Sequence, residues 1–561
     1  MFYSEITELN HVYHQVKEGN LREALHLVKE LENNDYLTPE VTLFCKMAKA
    51  DLFRLMGKFM ESIEICEVLY PEFQQKGDLI SLFDVLLLEA YSYMIMANVN
   101  KSESLVKRAK NLFNVIKDKY SIDLSGRESI LLRIKSGNHY FKGEIQKCLD
   151  LNKKAYELAK KTGDKGLISA SLGNISSAYI QMRKLNKALE YAKAAVELNY
   201  KNTLPNSLVT LIEVYVNRGE IKEAEKSLDI FRDYIEERDT ANDKSRYIFS
   251  KALILKSSLR SRNRVKSEEL FMSLAQDDSC LAEYRIDALI NLCDLYISEL
   301  EITNDLEILD EIQPFIQKLI NIAQNQSLYL PLAETYLLQA KLSTLTSDIK
   351  RAQELFTQAQ KLADLYGLER VAMKISSEHD KLLRQINIWK GETEISLSDR
   401  LDLASLKEQI EFMSRKRILE VPKQKDEDSI LFLILTEGGN PIFSHWFVKE
   451  NTLEDHLFGG FISTINAFIK EAFSERLDRA SFGQYTLLMK SITPFLICYI
   501  FKGDSYYALQ RVNLFIEKIV KKKEVWQTLE SFYLSNRIVQ NDDIPSLEPL
   551  LIKLFLEKSS F

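Results

Sequence analysis

Leu172-Gly173-Asn174-Ile175, then Ala178-Tyr179, then Lys187-Ala188-Leu189-Glu190-Tyr191-Ala192-Lys193-Ala194-Ala195-Val196-Glu197-Leu198, is the stretch that decides the fold. Small and apolar residues recur at three- and four-residue spacings, the signature of helices with one buried face. Ala188 and Ala195 fall where two antiparallel helices must touch, while Tyr179, Leu185 and Leu198 have the bulk to fill space between successive pairs. One such pair cannot bury its apolar face alone, so the pattern calls for stacked copies.

Copies occur on both sides. The template is an aromatic or large residue, a turn residue, an apolar residue, a small residue, and apolar or small residues at the next helix turns. Residues 53, 57, 59, 62, 66 and 69 read Phe, Gly, Phe, Ser, Cys and Leu; residues 215, 219, 221, 224, 228 and 231 read Tyr, Gly, Ile, Ala, Leu and Phe. Gly19, Leu21, Ala24, Val28 and Leu31 open the series, and Gly143, Ile145, Cys148 and Ala155 supply a further copy. Glycine after the first helix suits the left-handed turn that other residues resist. Between Gly219 and Gly367 there is no glycine, so those turns are expected from polar residues such as Ser261-Arg262-Asn263 and Thr346-Ser347-Asp348. Degenerate copies there are read at Glu268, Met272 and Ala275 and at Ala352, Phe356 and Ala359.

With its pitch of roughly 34 residues, the region resembles the tetratricopeptide repeat over about residues 4–370, most closely at 168–231. The resemblance implies a superhelical solenoid whose ligands lie in a concave groove lined by the first helix of each pair. Carried over position by position, it places Asn10, Tyr13, Lys17, Asp51, Arg54, Asn174, Ser177, Gln181, Glu213 and Asn217 on that face as protein- or peptide-binding residues. A solvated helix face accounts for the same polarity, and both readings stay open. The family's carboxylate clamp needs lysines where this chain has Leu9, Met47, Leu87 and Val209, which disfavours a chaperone-tail receptor.

Composition bounds the function. The 561 residues are 46% hydrophobic and 28% charged with a net charge of -7, an ordinary soluble balance without the basic footprint of nucleic-acid binding. The longest apolar runs, 430–435 and 495–501, are far short of the roughly 18 residues that cross a bilayer. Met1-Phe2-Tyr3-Ser4-Glu5 lacks a basic segment leading into an apolar run, so a cytoplasmic location is expected. Cysteines 45, 66, 148, 280, 293 and 498 show no short pairing, as expected of buried reduced thiols.

The expected domains are a tetratricopeptide-like α-solenoid at 1–390, a linker with an amphipathic helix over 401–417 at 391–427, and a small α+β domain with closing helices at 428–561. Residues 430–435 read as a strand, Glu437-Gly438-Gly439-Asn440 as a hairpin turn and 441–448 as its partner. A helix follows over about 453–473, then strands near 479–482, 485–490 and 495–501, then a helix capped by Asp504 or Ser505. This order is similar to the longin and roadblock class. That resemblance implies an antiparallel sheet that pairs with another such domain or holds a small GTPase, without catalytic residues. Leu477-Asp478-Arg479-Ala480-Ser481-Phe482-Gly483-Gln484-Tyr485 with Gly438-Gly439 also resembles repeat proteins of archaea.

Other constellations carry less. Gly459-Gly460, flanked by Phe458 and Phe461, costs a helix roughly 0.5–1 kcal/mol per glycine, offset either by close packing or by use as the domain's interface. No lysine or helix start follows Gly438-Gly439, so a phosphate cradle gives way to the hairpin. His11 and His14 share a helix face without a second ligand pair, and Ser444 and His445 point to opposite strand faces. Arg260, Arg262, Arg264 and Lys266, and Lys521-Lys522-Lys523, read as solvated turns and caps, with an acidic partner or headgroup as the alternative. The expectation is a non-enzymatic adaptor without cofactor or metal. Its solenoid takes a peptide or protein segment and its C-terminal domain recruits a second protein; the alternative is a ligand-responsive regulator whose occupied groove unmasks that domain.

Overall fold

The computed structural model describes residues 6–33, 37–142, 144–201, 203–237, 241–258, 260–278, 280, 282–389, 397–414, 426–436, 439–448, 477–535, 539 and 543–558. Phe458, Gly459, Gly460 and Phe461, with the helix expected over 453–473, lie outside the described residues. The chain divides into two compact units. The first comprises Met1–Thr335, Ala363–Glu369 and Leu406–Leu419; the second comprises Tyr336–Leu362, Arg370–Ser405 and Glu420–Phe561.

The first unit is a tetratricopeptide-like solenoid. Its first helices are Asn10–Glu18, Pro39–Leu55, Leu79–Ile95, Ser125–Phe141, Lys165–Gln181, Leu204–Asn217, Ala241–Lys256 and Ala282–Thr303. Their partners are Leu21–Glu32, Phe59–Lys76, Val99–Lys119, Ile145–Thr162, Leu185–Glu197, Ile221–Glu237, Ser261–Gln276 and Ile308–Asn325. Local chemistry sets the ends: Thr38, Asp78, Asn98 and Asp164 cap the helices that follow them with a side-chain oxygen. Gly19, Gly57 and Gly219 take positive φ at the turns, as their sequence positions suggest. Ala97 and Arg183 adopt the same conformation without glycine. Tertiary packing therefore imposes the turn where the residue itself resists it.

Small residues at the contacts are buried as the repeat template requires: Ala24, Cys66, Ala188 and Ala224 are fully covered. A serine recurs beside them. Ser102 Oγ donates to the Ala90 carbonyl at 3.0 Å, Ser176 Oγ to the Ala188 carbonyl at 2.9 Å and Ser267 Oγ to the Ala252 carbonyl at 2.8 Å. Each bond joins the two helices of one pair, and such a bond is worth about 1 kcal/mol net. The last of them corrects the degenerate copy expected at Glu268 and Met272. Its buried face is carried one residue earlier, by Ser267 and Phe271, while Glu268 accepts from the Tyr296 hydroxyl at 2.7 Å. Ser261-Arg262-Asn263 is likewise the start of a helix, not the turn before it. All six cysteines are buried free thiols, and burial pushes Cys45 up to about 11 and Cys293 up to about 12.

In place of one helix over 401–417 the structure has two, Leu397–Ala404 and Leu406–Met413. Ser405 separates them: its φ is 45° and its hydroxyl donates back to the Asp402 carbonyl at 2.9 Å, competing with helix continuation.

The second unit contains a five-stranded antiparallel sheet. Its strands are β1 (Asp428–Thr436), β2 (Pro441–Trp446), β3 (Arg479–Phe482), β4 (Tyr485–Ile492) and β5 (Phe495–Lys502), in the order β2-β1-β5-β4-β3. One face, including Phe432, Ile434, Phe495, Ile497 and Phe501, packs in a core with helices Ser505–Lys521, Lys523–Ser535 and Leu547–Leu551. The other, with Leu431, Leu433, Leu496 and Cys498, is buried too. That explains the unbroken apolar runs of β1 and β5, because a strand covered on both sides has no polar alternation.

Charged groups are also enclosed here. Fully buried Arg479 reaches both oxygens of Asp478 at 3.1 and 3.2 Å, Asp380 at 3.3 Å, and the hydroxyls of Ser376 and Ser505. Asp504 stands at the N-cap of the Ser505–Lys521 helix, but its side chain makes no cap bond; the Ser505 amide instead donates to Asp380 at 2.9 Å.

Candidate functional site

A cavity of about 1080 Å³ opens on the first unit, just above the range of roughly 300–1,000 Å³ of small-molecule pockets. All eight first helices reach it: Lys17, Arg54, Tyr91, Arg133, Ala170, Asn206, Arg246 and Arg285 come from successive pairs. A groove drawn from so many elements has length as well as depth, and this suits an extended ligand.

Its electrostatics oppose those of the whole chain. Eight cationic and five acidic side chains line it, against a net charge of -7 overall. Several cations are matched in place. Arg54 Nε donates to Asp51 at 2.9 Å, Arg246 Nη1 to Asp243 at 2.9 Å, and Arg285 Nη2 lies 2.6 Å from Asp278. Burial works against the charge on Arg246, yet Tyr284 and Asp243 outweigh it and lift its pKa above the ordinary arginine value. Tyrosines supply flat surface: the Arg54 guanidinium lies 4.7 Å from the Tyr91 ring centre, and Lys17 Nζ 4.3 Å from that of Tyr13. The Tyr13 hydroxyl holds the Lys17 pKa above its usual value, while burial, then Asp164, raise that of Tyr200. Near the same end, Lys201 Nζ is 3.2 Å from Glu18.

Of the residues singled out from sequence, Tyr13, Lys17, Asp51 and Arg54 line this cavity together. Asn217 instead lines a separate depression of about 550 Å³ with Arg183, Lys184, Lys187 and Arg218. Asn10, Asn174, Ser177, Gln181 and Glu213 line neither. Asn10 and Ser177 are exposed, and Gln181 donates to the Tyr140 hydroxyl at 3.4 Å. Sequence reasoning missed Tyr91, Arg246 and Arg285 because their helices have no strong copy of the template to carry a position over, and Arg133 because the copy at Gly143, Ile145, Cys148 and Ala155 names no residue of the helix before it.

No family model matches the chain. Response regulator aspartate phosphatase A of Bacillus subtilis (strain 168) is 24% identical over 247 residues, covering 40% of this chain. The match spans 65% of that relative's own length. Among solved structures, a Rap protein complexed with Competence and Sporulation Factor aligns with 58% of this chain and 99% of its own, at 16% identity and TM-score 0.40. NprR in complex with its cognate peptide NprX aligns with 63% of this chain and 98% of its own, at 16% identity and TM-score 0.35. Among the described residues, no helix is long and apolar enough to cross a membrane.

Proposed function

We propose that the first unit is a receptor for a short peptide or an extended protein segment. The observation that carries this reading is the single cavity shared by eight consecutive first helices, with matched charges and tyrosine faces along it. Such a surface can hold backbone and side chains over several residues and has the polar groups to fix their register. The chain then acts as a cytoplasmic, non-enzymatic adaptor whose second unit recruits another protein. The order of strands and helices around β1 to β5 supports a longin- or roadblock-like reading of that sheet. No described residue of the second unit singles out a small GTPase.

Photo-crosslinking tests the site. With Ala170 replaced by p-benzoylphenylalanine, the full chain should capture a random heptapeptide pool, while the same replacement at exposed Ser177 should capture little. Equal capture at both positions overturns the groove. Loss of phosphate from an aspartyl-phosphorylated response regulator on addition of the chain would overturn the non-enzymatic part.

The ligand-responsive alternative draws on a different observation. The first unit touches itself across a superhelical turn, the Tyr329 amide donating to the Met96 carbonyl at 3.1 Å. A ligand that alters the pitch would alter that contact.

A further inference from the structure

Arg133 stands apart from the other arginines of the cavity. It projects from the Ser125–Phe141 helix, lines the groove and, like Arg246 and Arg285, has a buried Nε without a hydrogen-bond partner among the described residues. Arg246 and Arg285 are ion-paired with Asp243 and Asp278, whereas Arg133 has no ion pair among the described residues. Its neighbours are committed elsewhere: Arg54 is held by Asp51, and Arg127 on the same helix donates to both oxygens of Asp84 at 2.7 and 2.8 Å. Arg22, which also lines the cavity, is exposed and can be solvated. Arg133 cannot be solvated fully, and a half-buried guanidinium without an anion is costly to maintain.

From this geometry we propose that Arg133 anchors one carboxylate of the bound peptide. A guanidinium presents parallel N–H donors that match the two oxygens of a carboxylate. The surroundings favour a single negative charge over a phosphate dianion. The Arg54 guanidinium also acts on Arg133 but is itself paired with Asp51, and the Asp164 carboxylate acts on Arg133 from the cap of the next first helix, so a second negative charge finds cations whose carboxylate partners are already in place. Ile130, Leu87, Leu88 and Leu167 supply apolar walls that strengthen the pair by excluding water. The carboxylate comes either from the peptide's C-terminus or from an aspartate or glutamate side chain. The inference rests on the peptide-receptor reading.

Affinity selection on the full chain, read by mass spectrometry, separates the cases. Four synthetic random heptapeptide pools are compared: with or without acidic residues, each with a free or an amidated C-terminus. The pool lacking any carboxylate should be retained at least about tenfold less than the best of the others. Retention of the acid-free, free-terminus pool assigns the C-terminus; retention of the acidic, amidated pool assigns a side chain. If the carboxylate-free pool is retained equally, the anchor is overturned and the receptor reading stands. If no pool is retained, both fall.

Arg133→Gln should weaken the best peptide about 10- to 100-fold without lowering the ligand-free melting temperature, since it removes an unmatched charge. Unchanged affinity, or a lowered melting temperature, would assign Arg133 a structural role instead. Inorganic phosphate competing better than acetate at equal concentration would overturn the choice of carboxylate.

Discussion

At Gly137 the absence of a side chain is a packing requirement. A Cβ built there would lie 2.3 Å from Met94 Sδ and 2.8 Å from Met94 Cγ, inside a contact between the Leu79–Ile95 and Ser125–Phe141 helices. Alanine in a helix gains about 0.5–1 kcal/mol over glycine, but overpacking a core costs about 1–3 kcal/mol. We expect Gly137→Ala to lower the melting temperature in calorimetry; an increase would mean that Met94 swings aside freely. The same scale explains what the sequence told about the groove. Tyr13, Asp51 and Tyr91 each stand six residues before a left-handed turn residue, Gly19, Gly57 or Ala97, and each lines the cavity. Ser177 and Glu213 stand six before Arg183 and Gly219 and do not; there the lining residues, Ala170 and Asn206, come thirteen before the turn. The lining position slides toward the helix N-termini along the superhelix. A fixed template offset follows the early repeats and loses the later ones, because superhelical drift is a property of the stack rather than of any repeat.

At the scale of elements, the helix Glu369–Trp389 shows how buried polarity couples parts of a fold. Its His379 is fully enclosed, stacks on Phe356 at 5.1 Å, and has no hydrogen-bond partner for either ring nitrogen among the described residues. Asp478 lies 3.9 Å away and favours the charged ring, but burial first and Arg479 second prevail, pushing the pKa down to about 3. In the unfolded chain histidine takes up a proton near pH 6.5. The folded state binds fewer protons between those values, so stability contributed by neutral His379 is lost as pH falls from about 6.5 toward 3. Trp389, Trp446 and Trp526 all belong to the second unit, so tryptophan fluorescence follows its unfolding. Urea midpoints should fall between pH 7 and pH 5, and His379→Phe should flatten that slope; a variant with an unchanged slope would place the acid sensitivity elsewhere. The strands of this unit were readable from their apolar runs, since pairing and burial act on local pattern. The cap of the Ser505–Lys521 helix was not, because Asp380 reaches its amide from far along the chain.

Across the whole first unit, the solenoid closes by contacts that no repeat encodes. Asn100 Nδ2 donates to the Leu365 carbonyl at 2.7 Å, Tyr329 stacks on Tyr366 with ring centres 3.4 Å apart, and Lys142 lies 3.7 Å from Glu369. Gly367 sits in this seam with a φ of +74°, and a Cβ there would meet Asn100 Oδ1 at 2.4 Å. Gly163 provides the matched comparison, with a φ of +69° and nothing within 4 Å of its Cβ position. Alanine at either site carries the left-handed backbone penalty of about 1–2 kcal/mol. Only Gly367→Ala should also drive Asn100 from its place and release the Leu365 carbonyl. Hydrogen exchange at the Tyr329 amide, bonded across the seam to Met96, is the readout. It should quicken in Gly367→Ala and stay protected in Gly163→Ala, although both chains lose comparable global stability. Equal exchange in the two variants would mean that the seam follows global stability and has no closure of its own, leaving a groove ligand no separate contact through which to act.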